Sequence, residues 1–239
     1  MNETDVYAER AGTGVVRCWW QRRTTGSRAY RVVPDAAADI IVSASGAAYL
    51  VGPTLRAALH LLADTDLRGL RVRTAAIAPV LRLPGHEVRD AVVPLTAVLS
   101  DAEARRVVES VWCGRMPAEL RPGADPRVAF AVRRICAGAP LDVVAADVSV
   151  TGRQLRRLFT DHTGLGPKAV QRVARFQRFV RAADAGAVPL AEVAASAGYA
   201  DQAHLTRETR QLAGVTPAVL LRERRGVEVP DPEGADALF

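Results

Sequence analysis

LDVVAADVSVTGRQLRRLFTDHTGLGP, residues 141–167, decides the fold because its pattern returns in LAEVAASAGYADQAHLTRETRQLAGVTP, residues 190–217. The two stretches pair Leu141 with Leu190, Val144 with Val193, Ala145 with Ala194, Leu155 with Leu205, Arg157 with Arg207, Gly164 with Gly214 and Pro167 with Pro217. In the first copy, Leu141, Val144, Ala145 and Val148 share one face of a short helix. Thr151 followed by Gln154 is the capping-box pattern, so a second helix starts there and runs to His162. Within it Leu155, Leu158 and Phe159 face a core, which leaves Arg153, Arg156 and Arg157 on the opposite side. The second copy predicts helices over Leu190–Ala197 and Asp201–Leu212, and Pro217 starts a last helix to about Arg224. Between the copies, Ala169, Val173, Phe176, Val180 and Ala183 predict one long helix over Pro167–Ala185. The same helix-turn-helix unit therefore occurs twice, joined by a long linker helix.

In such a unit the first helix braces and the second lies in the major groove of DNA, leading with its N-terminal residues. Charge agrees with that placement. Of 32 basic residues only Lys168 is a lysine, and guanidinium suits bidentate contacts to phosphate and guanine. Net charge is +3 over residues 1–124, +7 over 125–225 and −4 over 226–239. A basic excess by itself fits any polyanionic partner, and arginines on an exposed helix also serve simply to solvate it.

The rest of the chain has a different grammar. Val15–Gln21, Tyr30–Val33, Asp39–Ser43 and Leu67–Arg73 are short β-rich runs bounded by Gly, Pro, Asp or Ser, although Leu67, Leu70 and Val72 break strict alternation. Helices are expected over Ala75–Leu83, near Leu95–Leu99 and over Asp101–Trp112, the last capped by Asp101. Residues 1–115 thus read as an α+β domain and residues 116–126, rich in proline, as a linker. Residues 127–225 read as an all-α domain that begins with a helix leading up to Cys136, and residues 226–239 as an acidic, flexible tail that frays into solvent, with weak competition with DNA for the basic face as the alternative. Cys18, Cys113 and Cys136 are too scattered for a disulfide framework or a thiolate zinc site and read as buried structural thiols. His60 and His86 are isolated, so no metal or other cofactor is expected. The aromatic side chains of Trp19, Trp20 and Tyr30 read as core. No stretch approaches the ~20 apolar residues of a membrane span, and a cytoplasmic location is the simplest expectation.

GYADQAHLTRETRQLAGVTP (198–217) resembles the signature of the AraC/XylS family of bacterial transcription regulators, and the resemblance extends over about Ala129–Arg224. It implies double-stranded DNA as the partner and two recognition helices entering successive major-groove segments. A linker of ~19 residues at ~1.5 Å gives roughly 28 Å, comparable with the ~34 Å between equivalent grooves. Carried over by position, Arg153, Arg156 and Arg157 resemble the groove-facing residues of the first recognition helix, and Gln202, Ala203, Thr206 and Arg207 those of the second. Arg210 reads as solvating or phosphate-touching, and His204 as a surface residue. Thr209 departs from the pattern, since Phe159 holds the equivalent place. Unless Leu212 or Tyr199 fills the space, the second unit is the less rigid and Thr209→Phe is expected to raise the thermal midpoint.

RVVPDAAADIIVS (31–43), LVGP (50–53) and LRGLRVR (67–73) are similar to short uncharacterised N-terminal domains found in a subset of the same family. The resemblance implies a non-enzymatic regulator whose N-terminal half serves effector binding or dimerisation. A small-molecule effector, RNA polymerase and a second copy of the chain are partners it leaves open. Two alternatives stand beside it: a DNA-repair alkyl-acceptor protein fused to the same DNA-binding unit, and a basic interaction protein that reads no sequence.

Overall fold

The computed structural model describes residues 4–120, 123–186 and 189–226, and the backbone of 236–237. Its N-terminal half is an antiparallel sheet covered by short helices, and its C-terminal half is entirely helical.

The sheet is built from β1 (Thr4–Ala11), β2 (Val16–Val32), β3 (Ala38–Ser43), β4 (Ala48–Val51), β5 (Ala58–Val72) and β6 (Val92–Pro94), in the order β1-β2-β5-β3-β4-β6. The runs Val15–Gln21 and Tyr30–Val33 belong to one strand, β2, which continues through an irregularity between Thr24 and Ser27 where Gly26 takes φ +77°. Likewise Leu67–Arg73 is the end of a longer strand, β5. Its lack of alternation has a physical reason. Leu67 and Leu70 point to opposite faces and are 1% and 0% exposed, so both faces are covered at the centre of the sheet. Trp20 lies across β5 at Gly69, where a Cβ would stand 2.0 Å from the indole ring, and its Nε1 donates to Asp39 at 2.7 Å.

Two of the expected N-terminal helices are shorter than the sequence suggested. Ala75–Leu83 resolves into a 3-10 turn at Thr74–Ala76 and α1 (Ile77–Leu81), and the Leu95–Leu99 region into a 3-10 turn at Leu95–Ala97. The next, α2 (Asp101–Trp112), is capped by Ser100 rather than Asp101: Glu103 N–H donates to Ser100 Oγ while the Glu103 carboxylate accepts from Ser100 N–H. Ile40, Leu50, Leu70, Ile77, Val80, Val107 and Val111 form the core of this half.

The helical half comprises α3 (Pro126–Cys136), α4 (Leu141–Asp147), α5 (Gly152–Thr163), α6 (Pro167–Asp184), α7 (Leu190–Ala197), α8 (Gln202–Ala213) and α9 (Pro217–Arg224). Phe159, Phe176 and Phe179, each 0% exposed, anchor a second core that also takes in Ala36 and Ala75 from the sheet half. Cys18 is buried and Cys136 half-buried, but Cys113 is exposed, so it is not the buried thiol the sequence suggested. Burial pushes the Cys18 thiol up to about 11, which leaves it protonated and unreactive at neutral pH.

The acidic tail lies outside the described residues apart from Asp236–Ala237. These two form β7, which pairs in parallel with His60 and Leu61 of β5 instead of extending freely into solvent. β3 covers β5 only from Leu67 to Val72, so the earlier part of β5 has an open edge whose backbone groups accept another strand. Among the described residues no helix is long and apolar enough to cross a membrane.

Candidate nucleic-acid interface

The two helix-turn-helix units present α5 and α8 as their second helices. Thr151 caps α5 through a full capping box, with Gln154 N–H donating to Thr151 Oγ1 at 3.2 Å and Thr151 N–H donating to Gln154 Oε1 at 2.8 Å. Asp201 caps α8 by accepting from His204 N–H. Both helices end on a glycine in the left-handed region, Gly164 at φ +74° and Gly214 at φ +76°, a conformation that costs glycine little. Because α5 buries Leu155 and Phe159 and α8 buries Leu205 and Leu212, the opposite faces are left to solvent.

Arg153, Arg156 and Arg157 are all exposed on α5, and Gln202, Ala203 and Arg207 are exposed on α8. Thr206 is half-buried, and its hydroxyl donates back to the Gln202 carbonyl at 2.8 Å. Arg210 is exposed one turn further along, whereas His204 is half-buried with its ring edge-on to Tyr199 at 5.2 Å. None of Arg153, Arg156, Arg157 or Arg207 makes a side-chain hydrogen bond or ion pair with another described residue. Other arginines of the same half are engaged: Arg134 pairs with Asp147 and Arg224 with Asp184.

The sequence reading missed the residues that hold these helices in place. Arg172, Arg175 and Arg178 recur at every third position of α6. The first two converge on Glu208 of α8, Arg172 Nε at 2.9 Å and Arg175 Nη2 at 2.8 Å, while the Arg175 guanidinium also lies over the Tyr199 ring, 4.9 Å from its centroid. Glu208 is only 4% exposed. Burial pushes its pKa up, but the hydrogen bonds from Arg175 and Arg172 outweigh burial and hold the carboxyl below its ordinary range. Arg178 donates to two helix ends at once, to the Cys136 carbonyl of α3 at 2.6 Å and to the Ala197 carbonyl of α7 at 3.3 Å, where terminal carbonyls lack intrahelical donors. The spacing of three along α6 is a signal the sequence carries, but the partners are distant in sequence.

Thr209 is 0% exposed, with Leu212 and Tyr199 also buried in this unit. Its Oγ1 is buried without a hydrogen-bond partner among the described residues. The position is sealed from solvent, and a buried hydroxyl stands where the first unit holds an aromatic ring.

A protein-family model described as a helix-turn-helix domain matches residues 144–223, and one described as a domain of unknown function, DUF6597, matches residues 13–94. No curated protein matches the chain. Among solved structures, the C-terminal domain of AraT, a response regulator from Geobacillus stearothermophilus, is 20% identical over 45% of this chain and 89% of its own, with a TM-score of 0.39. ToxT from Vibrio cholerae is 8% identical over 92% of this chain and 98% of its own, with a TM-score of 0.44. Unsaturated fatty acid-bound ToxT from Vibrio cholerae strain SCE256 is 10% identical over 93% and 96%, also at 0.44.

Proposed function

We propose that the chain, which matches a helix-turn-helix domain over residues 144–223 and a DUF6597 domain over residues 13–94, is an AraC-type DNA-binding transcription regulator that reads an asymmetric double-stranded DNA site with α5 and α8 in successive segments of the major groove. The observation that carries this reading is the set of four guanidinium groups, Arg153, Arg156, Arg157 and Arg207, that lead two capped helices and are engaged by no described residue of the chain. Arg172, Arg175 and Arg178 of α6, by contrast, are each held by hydrogen bonds within the chain. At 18 residues α6 spans about 27 Å, close enough to the ~34 Å of one DNA turn for both helices to reach the same face.

In this reading the arginines of α5 contact guanine O6 and N7 or hold phosphates, and Gln202 is suited to adenine N6 and N7. Ala203 and the methyl of Thr206 suit thymine methyl groups. The protein acts in the cytoplasm and without catalysis. Its N-terminal domain modulates binding through a small-molecule effector or a second copy, and RNA polymerase is the partner of the DNA-bound state.

The test is selection of bound fragments from a genomic DNA pool by the full-length protein at near-physiological salt. One enriched motif with two short blocks about a helical turn apart is expected. Equal binding of selected and random DNA would overturn the reading in favour of a basic surface without sequence readout.

A further inference from the structure

Both recognition helices end against the N-terminal domain. At the end of α8, where the last carbonyls of a helix have no intrahelical donor, the Leu212 carbonyl accepts from Ala57 N–H at 2.7 Å and the Ala213 carbonyl from Arg31 Nη1 at 3.1 Å. The same Arg31 holds Glu223 of α9 by two hydrogen bonds, Nε to Oε2 at 2.9 Å and Nη2 to Oε1 at 3.1 Å. The Arg31 and Glu223 side chains are 15% and 6% exposed. One side chain of the sheet thus ties two helices of the second unit, using the planar fork that lysine lacks.

At the end of α5 the fit is backbone against backbone. A Cβ on Gly85 would stand 2.3 Å from the Gly164 nitrogen, and one on Gly164 would stand 2.6 Å from the Gly85 carbonyl oxygen. His86 Nδ1 lies 3.6 Å from Asp161 Oδ1 beside this contact. Between the two ends, Gln177 of the linker helix donates to the Pro34 carbonyl at 2.7 Å. The attachments come from three separate places in the N-terminal domain: the end of β2 with the short segment leading out of it, the stretch between β4 and β5, and the 3-10 turn at Gly85–Glu87.

The geometry points to the N-terminal domain as a second bracket, alongside α6, that sets the distance and rotation between α5 and α8, with Arg31 as its positioning residue. This rests on the reading of those two helices as DNA-reading elements. Within the helical half α6 holds α8 through Glu208, and a second set of ties away from that axis further limits any pivoting of one unit against the other. The ties leave the N-terminal ends of both helices uncovered, so the bracket orients them without blocking them. DNA converts orientation into specificity. One inserted base pair moves the second block by about 3.4 Å and roughly 34°, which a fixed pair of helices cannot follow.

The experiment uses full-length protein and the motif enriched by selection, synthesised with its natural spacer and with one base pair added or removed. Wild type is expected to bind the altered spacers on the order of tenfold more weakly or worse. Arg31→Ala is expected to bind all three within about threefold of one another, while the salt slope, set by phosphate contacts, is unchanged. Arg31→Lys, which keeps the charge and loses the fork, is expected to behave like Arg31→Ala. A motif whose spacing preference is the same in wild type and Arg31→Ala overturns the positioning role alone. Failure to enrich any motif overturns the DNA reading and the positioning role with it. A measurement without DNA tests the geometry directly: spin labels at Thr160→Cys and Arg210→Cys, with Cys113 and Cys136 replaced by serine, are expected to give one narrow distance that broadens in Arg31→Ala. An equally narrow distribution in both overturns the bracket.

Discussion

Replacing Glu208 by alanine removes the carboxylate that joins α8 to α6. Glu208 receives Arg172 Nε at 2.9 Å, Arg175 Nε at 3.0 Å and Arg175 Nη2 at 2.8 Å. Its side chain is 5% exposed, and those of Arg172 and Arg175 are 36% and 22% exposed. Breaking a fully buried pair by deleting one partner costs ~3–5 kcal/mol. Here both arginines keep part of their hydration, which brings the expected loss down to about 2–3 kcal/mol. For a chain of this size that is roughly 4–12 °C in thermal midpoint. Glu208→Gln retains the shape but not the charge and is expected to lose less. Because the folded-state pKa of Glu208 is lowered, its contribution is complete above the ordinary carboxylate range and disappears as pH falls through the lowered folded value. The difference between wild type and Glu208→Gln should therefore shrink on acidification. Urea unfolding across pH measures this. A loss below about 0.5 kcal/mol at neutral pH, the size of an ordinary surface substitution, would refute the reasoning and mean that the Glu208 carboxylate does not anchor α8 to α6.

The remaining predictions concern the reading face and the core beneath it. Arg157→Ala and Arg207→Ala are each expected to leave the unfolding midpoint unchanged and to weaken binding of the selected motif by ~1–3 kcal/mol with relaxed preference at one base position, if they read bases; a phosphate contact instead lowers the salt slope by ~1 without changing preference. Titrations at several salt concentrations separate the two. Thr209→Val is expected to stabilise by about 1 kcal/mol in urea unfolding, since it replaces a buried hydroxyl without a partner by a methyl of the same shape. Thr209→Phe at the same closed position is expected to destabilise by ~1–3 kcal/mol through overpacking, and a raised midpoint would show that the site has room. Ser100→Ala removes the capping box of α2 and is expected to cost about 1 kcal/mol, without effect on DNA affinity in a filter or fluorescence assay.

The features legible in the sequence were those that neighbouring residues decide. The capping box at Thr151 and Gln154, the apolar spacing of Leu155 and Phe159 and the glycines at 164 and 214 act within a single turn of chain, and each appears in the structure where the repeat placed it. The same locality explains the errors. Ser100 and Asp101 are both good caps, and only the reciprocal bond to Glu103 distinguishes them. The strands β1, β4 and β6 are too short or too charged to stand out, and they exist because β2, β3 and β4, respectively, offer them edges. Long-range polar partners were not legible at all. Glu208 occupies the place that Leu158 holds in the first unit, so the repeat itself suggested an apolar contact there, and nothing within α8 marks it as the anchor for two arginines of α6. Arg31 is further removed, since its partners lie 182 and 192 residues along the chain. Locally it is one more arginine on a strand. Its contacts depend on where α8 and α9 end in space, so caps and apolar spacing are foreseeable from a repeat, whereas a tie of this kind is found only once the two halves are seen together.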